Sequence, residues 1–224
     1  MNTDISVNVV KAGWVVNQLI DTINANRQYL SEVDGAIGDG DHGINMSKGF
    51  TQCGLRLAER GEEIPLSVAF DDLSMVLLEG IGGSMGPLYG SFFFAIGETL
   101  EGHATLDKLL FFQALDAAIE AVQTIGDAKV GDKTLMDTLV PARDAYKQAL
   151  DQNKPFKACL SDMIAGAESG MESTRALRAR IGRAARLGDR SIGVLDAGAC
   201  SSFLILRSIG QSLMQLIDDS SNLS

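Results

Sequence analysis

Residues 34–43 read Asp-Gly-Ala-Ile-Gly-Asp-Gly-Asp-His-Gly, with three carboxylates, Asp34, Asp39 and Asp41, and four glycines among ten positions. Carboxylates held this close disfavour one another's ionised form, and a hard dication with oxygen ligands removes the conflict. Gly35, Gly38, Gly40 and Gly43 let the backbone turn sharply enough for unevenly spaced side chains to converge. Mg2+ takes few protein carboxylates and completes its shell with water and substrate phosphate, so the pattern points to a metal-nucleotide. A lone Asp would be an ordinary turn or N-cap residue; three with interleaved glycines favour a metal. His42 suits a ligand, a base or a support for the turn, and Asn45 suits a phosphate, a base edge or a cap.

Three further segments carry similar chemistry. Gly80-Ile-Gly-Gly-Ser84-Met85-Gly86-Pro87 has the glycine content of a phosphate cradle, but matches neither the P-loop nor the dinucleotide fingerprint. Gly131-Asp-Lys133-Thr134 lacks the Walker spacing; its lysine is well placed for an anion, and Thr134 with Asp137 also fits a capping pair. Arg175, Arg178, Arg180, Arg183, Arg186 and Arg190 crowd one stretch of a chain with net charge -10. Arginine without lysine suits bidentate phosphate recognition, with one or two of the six on a ligand and the others on surface or partner contacts. Asp196 and Gly198 suit a base or ribose, with capping the simpler role for Asp196.

The elements that must position these segments are helical. Trp14, Ile20, Ile23 and Leu30 recur at helical intervals, as do Phe156, Cys159, Leu160, Met163, Ile164 and Ala167, and no alternating strand stands out. Glycine and proline punctuation predicts about eight helices, near 6–31, 44–60, 66–80, 88–101, 105–125, 133–150, 155–173 and 198–219. Short connections make neighbours antiparallel, an all-α, up-and-down bundle. The loops after the first, third, fifth and seventh helices then share one end, and these are the four unusual segments. Each leads into a helix N-terminus, where free N–H groups and the dipole favour phosphate. The turns near Gly61, Gly102 and Asn153 carry no comparable chemistry.

The 224 residues suit a single domain over 1–224 with a substantial core. The N-terminus, with Asp4 and few basic residues, does not read as a leader. The longest apolar run, Leu88 to Ile96, is far too short to span a membrane. Three scattered cysteines suggest free thiols in a reducing cytoplasm, and the acidic balance argues against a nucleic-acid binder.

Taken in order, Gly38-Asp-Gly-Asp-His-Gly43 with Asn45-Met46, Gly82-Gly83 with Gly86-Pro87, Gly131-Asp-Lys-Thr134, and Gly188-Asp-Arg-Ser-Ile-Gly193 with Asp196 and Gly198 resemble the L subunit of dihydroxyacetone kinases over nearly the whole chain. The resemblance implies a barrel-like bundle of eight antiparallel helices that holds ADP or ATP at one end through two Mg2+ ions. It places the metal on Asp34, Asp39 and Asp41. Its nucleotide contacts fall on His42, Gly43, Ile44 and Asn45, on Ser84 and Met85, on Gly126, on Thr134 and Leu135, on Arg183, and on Asp196, Ala197 and Gly198. Two departures stand out. Met85 replaces a phosphate-contacting serine, with Ser84 beside it, and Asp196-Ala-Gly198, preceded by Val194-Leu195, replaces an Asp-Pro-Gly with polar neighbours.

The implied activity is phosphoryl transfer to dihydroxyacetone or another short ketose, such as a tetrulose, held covalently on a histidine of a separate K subunit. The phosphoryl source is an exchanging ATP, or a retained ADP recharged by a phosphotransferase-system protein. A cytoplasmic enzyme of glycerol metabolism follows, with homodimerisation open. No residue reads as a dedicated base, so the catalytic group is left unassigned. Other classes fit less well. Twelve positions from Asp39 end on Phe50, not the bidentate Glu of an EF-hand, and an Asp-x-Asp phosphatase needs a parallel sheet. A non-enzymatic nucleotide-binding regulator would keep all four segments and differ only in needing no sugar subunit.

Overall fold

The computed structural model describes residues 5–221; Asp4, weighed above against a leader, lies outside them. Among the described residues nine α-helices follow a two-residue strand: β1 (Val7–Asn8), α1 (Trp14–Ala25), α2 (Arg27–Ile37), α3 (His42–Arg60), α4 (Leu66–Gly80), α5 (Met85–Leu100), β2 (Thr105–Leu106), α6 (Lys108–Gly126), α7 (Met136–Asp151), α8 (Phe156–Ser173) and α9 (Ala197–Ser221). Two 3-10 stretches, Thr174–Ala176 and Arg183–Ser191, lie between α8 and α9.

Each helix packs on the next from α2 to α9, and α9 returns to α1 and α2, closing a ring. With α1 and α2 taken as one interrupted helix, the ring is the expected eight-membered antiparallel barrel. Its interior is aliphatic and aromatic: Phe93 stacks on Phe70 at 5.8 Å between ring centroids and meets Phe50 edge-on at 6.0 Å. Cys53, Cys159 and Cys200 are free and buried within it.

The first expected helix, 6–31, is corrected twice. Val7 and Val9 are buried while Asn8 and Val10 face out, a short alternation that makes a strand. Val7 pairs with Leu106 and Asn8 with Thr105, so the expected helical start at 105 is also strand and α6 begins at Lys108. The helix then breaks at Asn26, whose side chain donates to the Thr22 carbonyl at 2.8 Å. Beyond it α2 runs to Ile37, because the buried Leu30 and Ile37 continue an apolar face. Asp34 is therefore a helical residue, and the acidic loop is only Gly38–Asp41. The left-handed Lys133, φ 64°, delays α7 to Met136.

α6, with 19 residues and mean hydropathy 1.2, is long and apolar enough to cross a membrane, unlike the Leu88–Ile96 run singled out in the sequence. Here it packs between α5 and α7 through Phe111, Ala114, Leu115, Ala118, Ile119 and Val122.

Candidate functional site

α2, α4 and α6 end, and α3, α5, α7 and α9 begin, around one cavity of about 670 Å³. Asp34 enters from the last turn of α2, Asp39 and Asp41 from the loop, and their oxygens lie within 4.8 Å of one another. Two glycines make this approach possible. A Cβ at Gly38 would lie 2.3 Å from an Asp34 oxygen, and Gly40 is left-handed at φ 77°. Arg183, 64% exposed on its 3-10 stretch, reaches back to pair with Asp39, and its guanidinium lies 4.0 Å from Asp41. It stands in for a cation among the three acids. A compact all-oxygen donor set compensated by a positive group suits Mg2+.

The floor is a buried polar chain. His42 Nε2 lies 2.9 Å from Ser201 Oγ, and that hydroxyl lies 2.6 Å from Tyr89 Oη. Burial drives the His42 pKa down to about 4 against the opposing pull of Asp34, and it raises the Tyr89 phenol. The imidazole is therefore neutral at pH 7, a hydrogen-bonding group and not a cation. One wall is apolar, formed by Leu88, Val122, Ile125, Ala128 and Leu135.

Asp196 accepts the Ala199 N–H at 2.8 Å, which makes it the cap of α9, and burial raises its pKa to about 7. Asp137, 1% exposed, accepts the N–H groups of Gly131 and Thr134 at 2.6 and 2.7 Å and so sets the Gly131–Thr134 turn. Thr134 Oγ1 in turn accepts the Met136 N–H at 3.2 Å.

Asn45, Ser84, Met85, Gly126, Thr134, Leu135, Ala197 and Gly198 line the cavity with Asp34, Asp39, Asp41, His42, Arg183 and Asp196. Gly43 and Ile44 do not. Gly43 lies against α2, where a Cβ would come within 2.0 Å of the Arg27 carbonyl oxygen, and Ile44 is 48% exposed on the outer side of α3. Lys133 lines the cavity, yet its ammonium is committed to carbonyls and not held out to an anion. Tyr89 and Ser201 were not read from the sequence. Tyr89 follows Met85 by one helical turn and so shares its face, a spacing that pointed to it; Ser201 carried no comparable signal.

The sequence profile of the DAK2 domain matches residues 36–211 of this chain. The chain belongs to the DAK2-domain family of dihydroxyacetone kinase subunits. The chain is 38% identical over 208 residues to the "PEP-dependent dihydroxyacetone kinase 2, ADP-binding subunit DhaL" of Listeria innocua, covering 92% of this chain and 95% of that one. It is 33% identical over 187 residues to the corresponding ADP-binding subunit of Escherichia coli, covering 84% and 89%. The crystal structure of the C. freundii dihydroxyacetone kinase in complex with AMP-PNP and Mg2+ superposes with a TM-score of 0.68 at 26% identity. That match covers 92% of this chain and 34% of the solved one, so this chain spans about a third of the length of that solved chain.

Proposed function

We propose that this chain is the ADP- and Mg2+-binding subunit of a two-component, cytoplasmic dihydroxyacetone-type kinase, completed by a ketose-binding partner subunit. The observation that carries the reading is the meeting of three carboxylates, an arginine and four helix N-termini around a single cavity. The relatives named as ADP-binding subunits of PEP-dependent kinases support a phosphoryl donor protein as a second partner.

Asp34, Asp39 and Asp41 would hold magnesium, two ions in this proposal, and the metal would supply positive charge to offset that of a polyphosphate. The chain's own residues supply the rest. The starts of α3, α5, α7 and α9 turn the positive ends of their helix dipoles toward a polyphosphate. The apolar wall suits a purine ring and excludes water from one side of it. Neutral His42, oriented through Ser201 and Tyr89, presents a hydrogen-bonding edge without adding charge. Arg183, released from Asp39, is within reach of a phosphoryl group and favours its transfer by offsetting the charge that develops there.

Thermal unfolding of metal- and nucleotide-free protein tests the reading, with ADP or ATP added with and without Mg2+, alongside Asp39→Ala. A hundredfold excess of ligand over its Kd raises stability by about 2.7 kcal/mol. The expected result is a nucleotide shift that needs Mg2+ and is lost in the variant. No nucleotide shift, with a clear response to Ca2+ alone, would leave a metal-binding module instead.

A further inference from the structure

Lys133 is an unusual lysine. It is 2% exposed, its backbone is left-handed at φ 64°, and it points inward in a chain with many solvated carboxylates. Burial lowers its pKa, with Asp196 and Asp137 pulling the other way. Its Nζ donates to the Thr174 carbonyl at 2.6 Å and also to the Val194 carbonyl. Those two residues are the two ends of the arginine segment. The same neck is closed by the Gly193 N–H on the Arg175 carbonyl at 2.7 Å, and by the Asp196 N–H on Thr174 Oγ1 at 3.1 Å. Asp132, next to the lysine, takes the Arg180 N–H on its carbonyl at 3.1 Å. Residues 175–193 thus form a loop whose ends are gathered on one ammonium and whose interior carries Arg183 to the metal-loop carboxylates.

We infer that Lys133 is a positioning residue: by tying the neck of the arginine loop it sets where the Arg183 guanidinium stands over the nucleotide cavity. The inference rests on the proposed nucleotide site. A buried ammonium on two carbonyls is a strong, charge-assisted clasp, and only a lysine offers that many donors at the end of so slender a stem. Removing it leaves the Val194 carbonyl without this donor, the Thr174 carbonyl with only the Leu177 N–H at 3.2 Å, and a neck held by the Gly193 N–H on the Arg175 carbonyl and the Asp196 N–H on Thr174 Oγ1, so the loop and its arginine lose their fixed place.

The loop reports on itself, because its arginines are trypsin sites. Lys133→Met keeps the stem and removes the donors. Circular dichroism establishes that the full-length variant is folded, limited trypsinolysis reads the loop, and Mg-ADP titration reads the site in both wild-type and Arg183→Gln backgrounds. The expected results are cleavage between Arg178 and Arg190 at least tenfold faster, and a Kd raised about tenfold in the wild-type background but less than twofold with Arg183 already removed. That coupling is the mark of a residue acting through another. Unchanged cleavage, or an equal loss of affinity in both backgrounds, overturns the inference; the second outcome would make Lys133 a direct ligand or a general support. If the methionine variant does not fold, Lys133→Gln carries the same measurements, and failure of both to fold makes Lys133 a core residue and overturns it too. Wild-type protein that does not bind Mg-ADP would defeat the proposed function, while the cleavage result would still stand or fall on the clasp.

Discussion

Asp196 shows how one carboxylate serves two ends. It caps α9 and borders the cavity, and its folded pKa of about 7 lies above the ordinary value of 3.8. A raised carboxylate pKa favours the fold when protonated. That advantage is complete below pH 4 and is lost as pH rises toward 7. Asp196→Asn retains an oxygen for the Ala199 N–H and removes the charge. Unfolding of the nucleotide-free protein should show the variant gaining stability relative to wild type from pH 4 to 7, reaching on the order of 4 kcal/mol and then levelling off; a difference that does not vary with pH would contradict the assignment. At this scale the convergence of Asp34, Asp39 and Asp41 was legible because three acids among four glycines have few other uses. Lys133 was misread because a lysine beside glycines looks like an anion site, and only the return of residues 174 and 194 to its side shows otherwise. Tyr89 and Ser201 meet from helices far apart in sequence, which periodicity does not reveal.

The joint between α2 and α3 sets the geometry of the acidic cluster, since Asp34 belongs to one helix and Asp39 and Asp41 lead into the other. Gly43 lets the two helices touch. Gly43→Ala would place a methyl 2.0 Å from the Arg27 carbonyl oxygen and 2.8 Å from the Ser31 nitrogen, so backbone must move. Overpacking of this kind costs about 1–3 kcal/mol, and it should weaken Mg2+-dependent nucleotide binding as Asp34 shifts. Gly54→Ala in the same helix is the control. Its methyl would meet Ile20 at 3.7 Å, an ordinary contact, and alanine raises helix propensity, so stability and binding should hold or improve. Equal losses in the two variants would show that Gly43 is not a special contact. Among the elements, the seven later helices were foreseen to within a few residues. The interruption at Asn26 was not, because its apolar periodicity runs on into α2 and the break depends on a side chain folding back onto the preceding turn.

The barrel places every unusual loop at one end, an arrangement that followed from the helix count and the parity of the connections alone. Periodicity and parity do not predict the closure of the ring by α9, which depends on long-range packing and was implied only by the family resemblance. For the whole molecule the expectation is dependence on a second chain. Protein incubated with Mg-ATP and dihydroxyacetone should form no sugar phosphate alone, and should form it when a ketose-binding subunit of the same family is added; turnover by the single chain would mean that it contains its own sugar site. The opposite end of the barrel is shut by the β1–β2 pair, with the Val9 N–H on the Ala104 carbonyl at 3.0 Å and the Leu66 N–H on the Val9 carbonyl at 2.9 Å. Strand β1 therefore lies far from the cavity, and α9, 25 residues and roughly 37 Å long, starts at the cavity and carries the chain away from it. Tethers can leave from both sides of the sequence without crossing the mouth, so the unit can be fused to a longer polypeptide or fixed to a surface with its opening still facing outward.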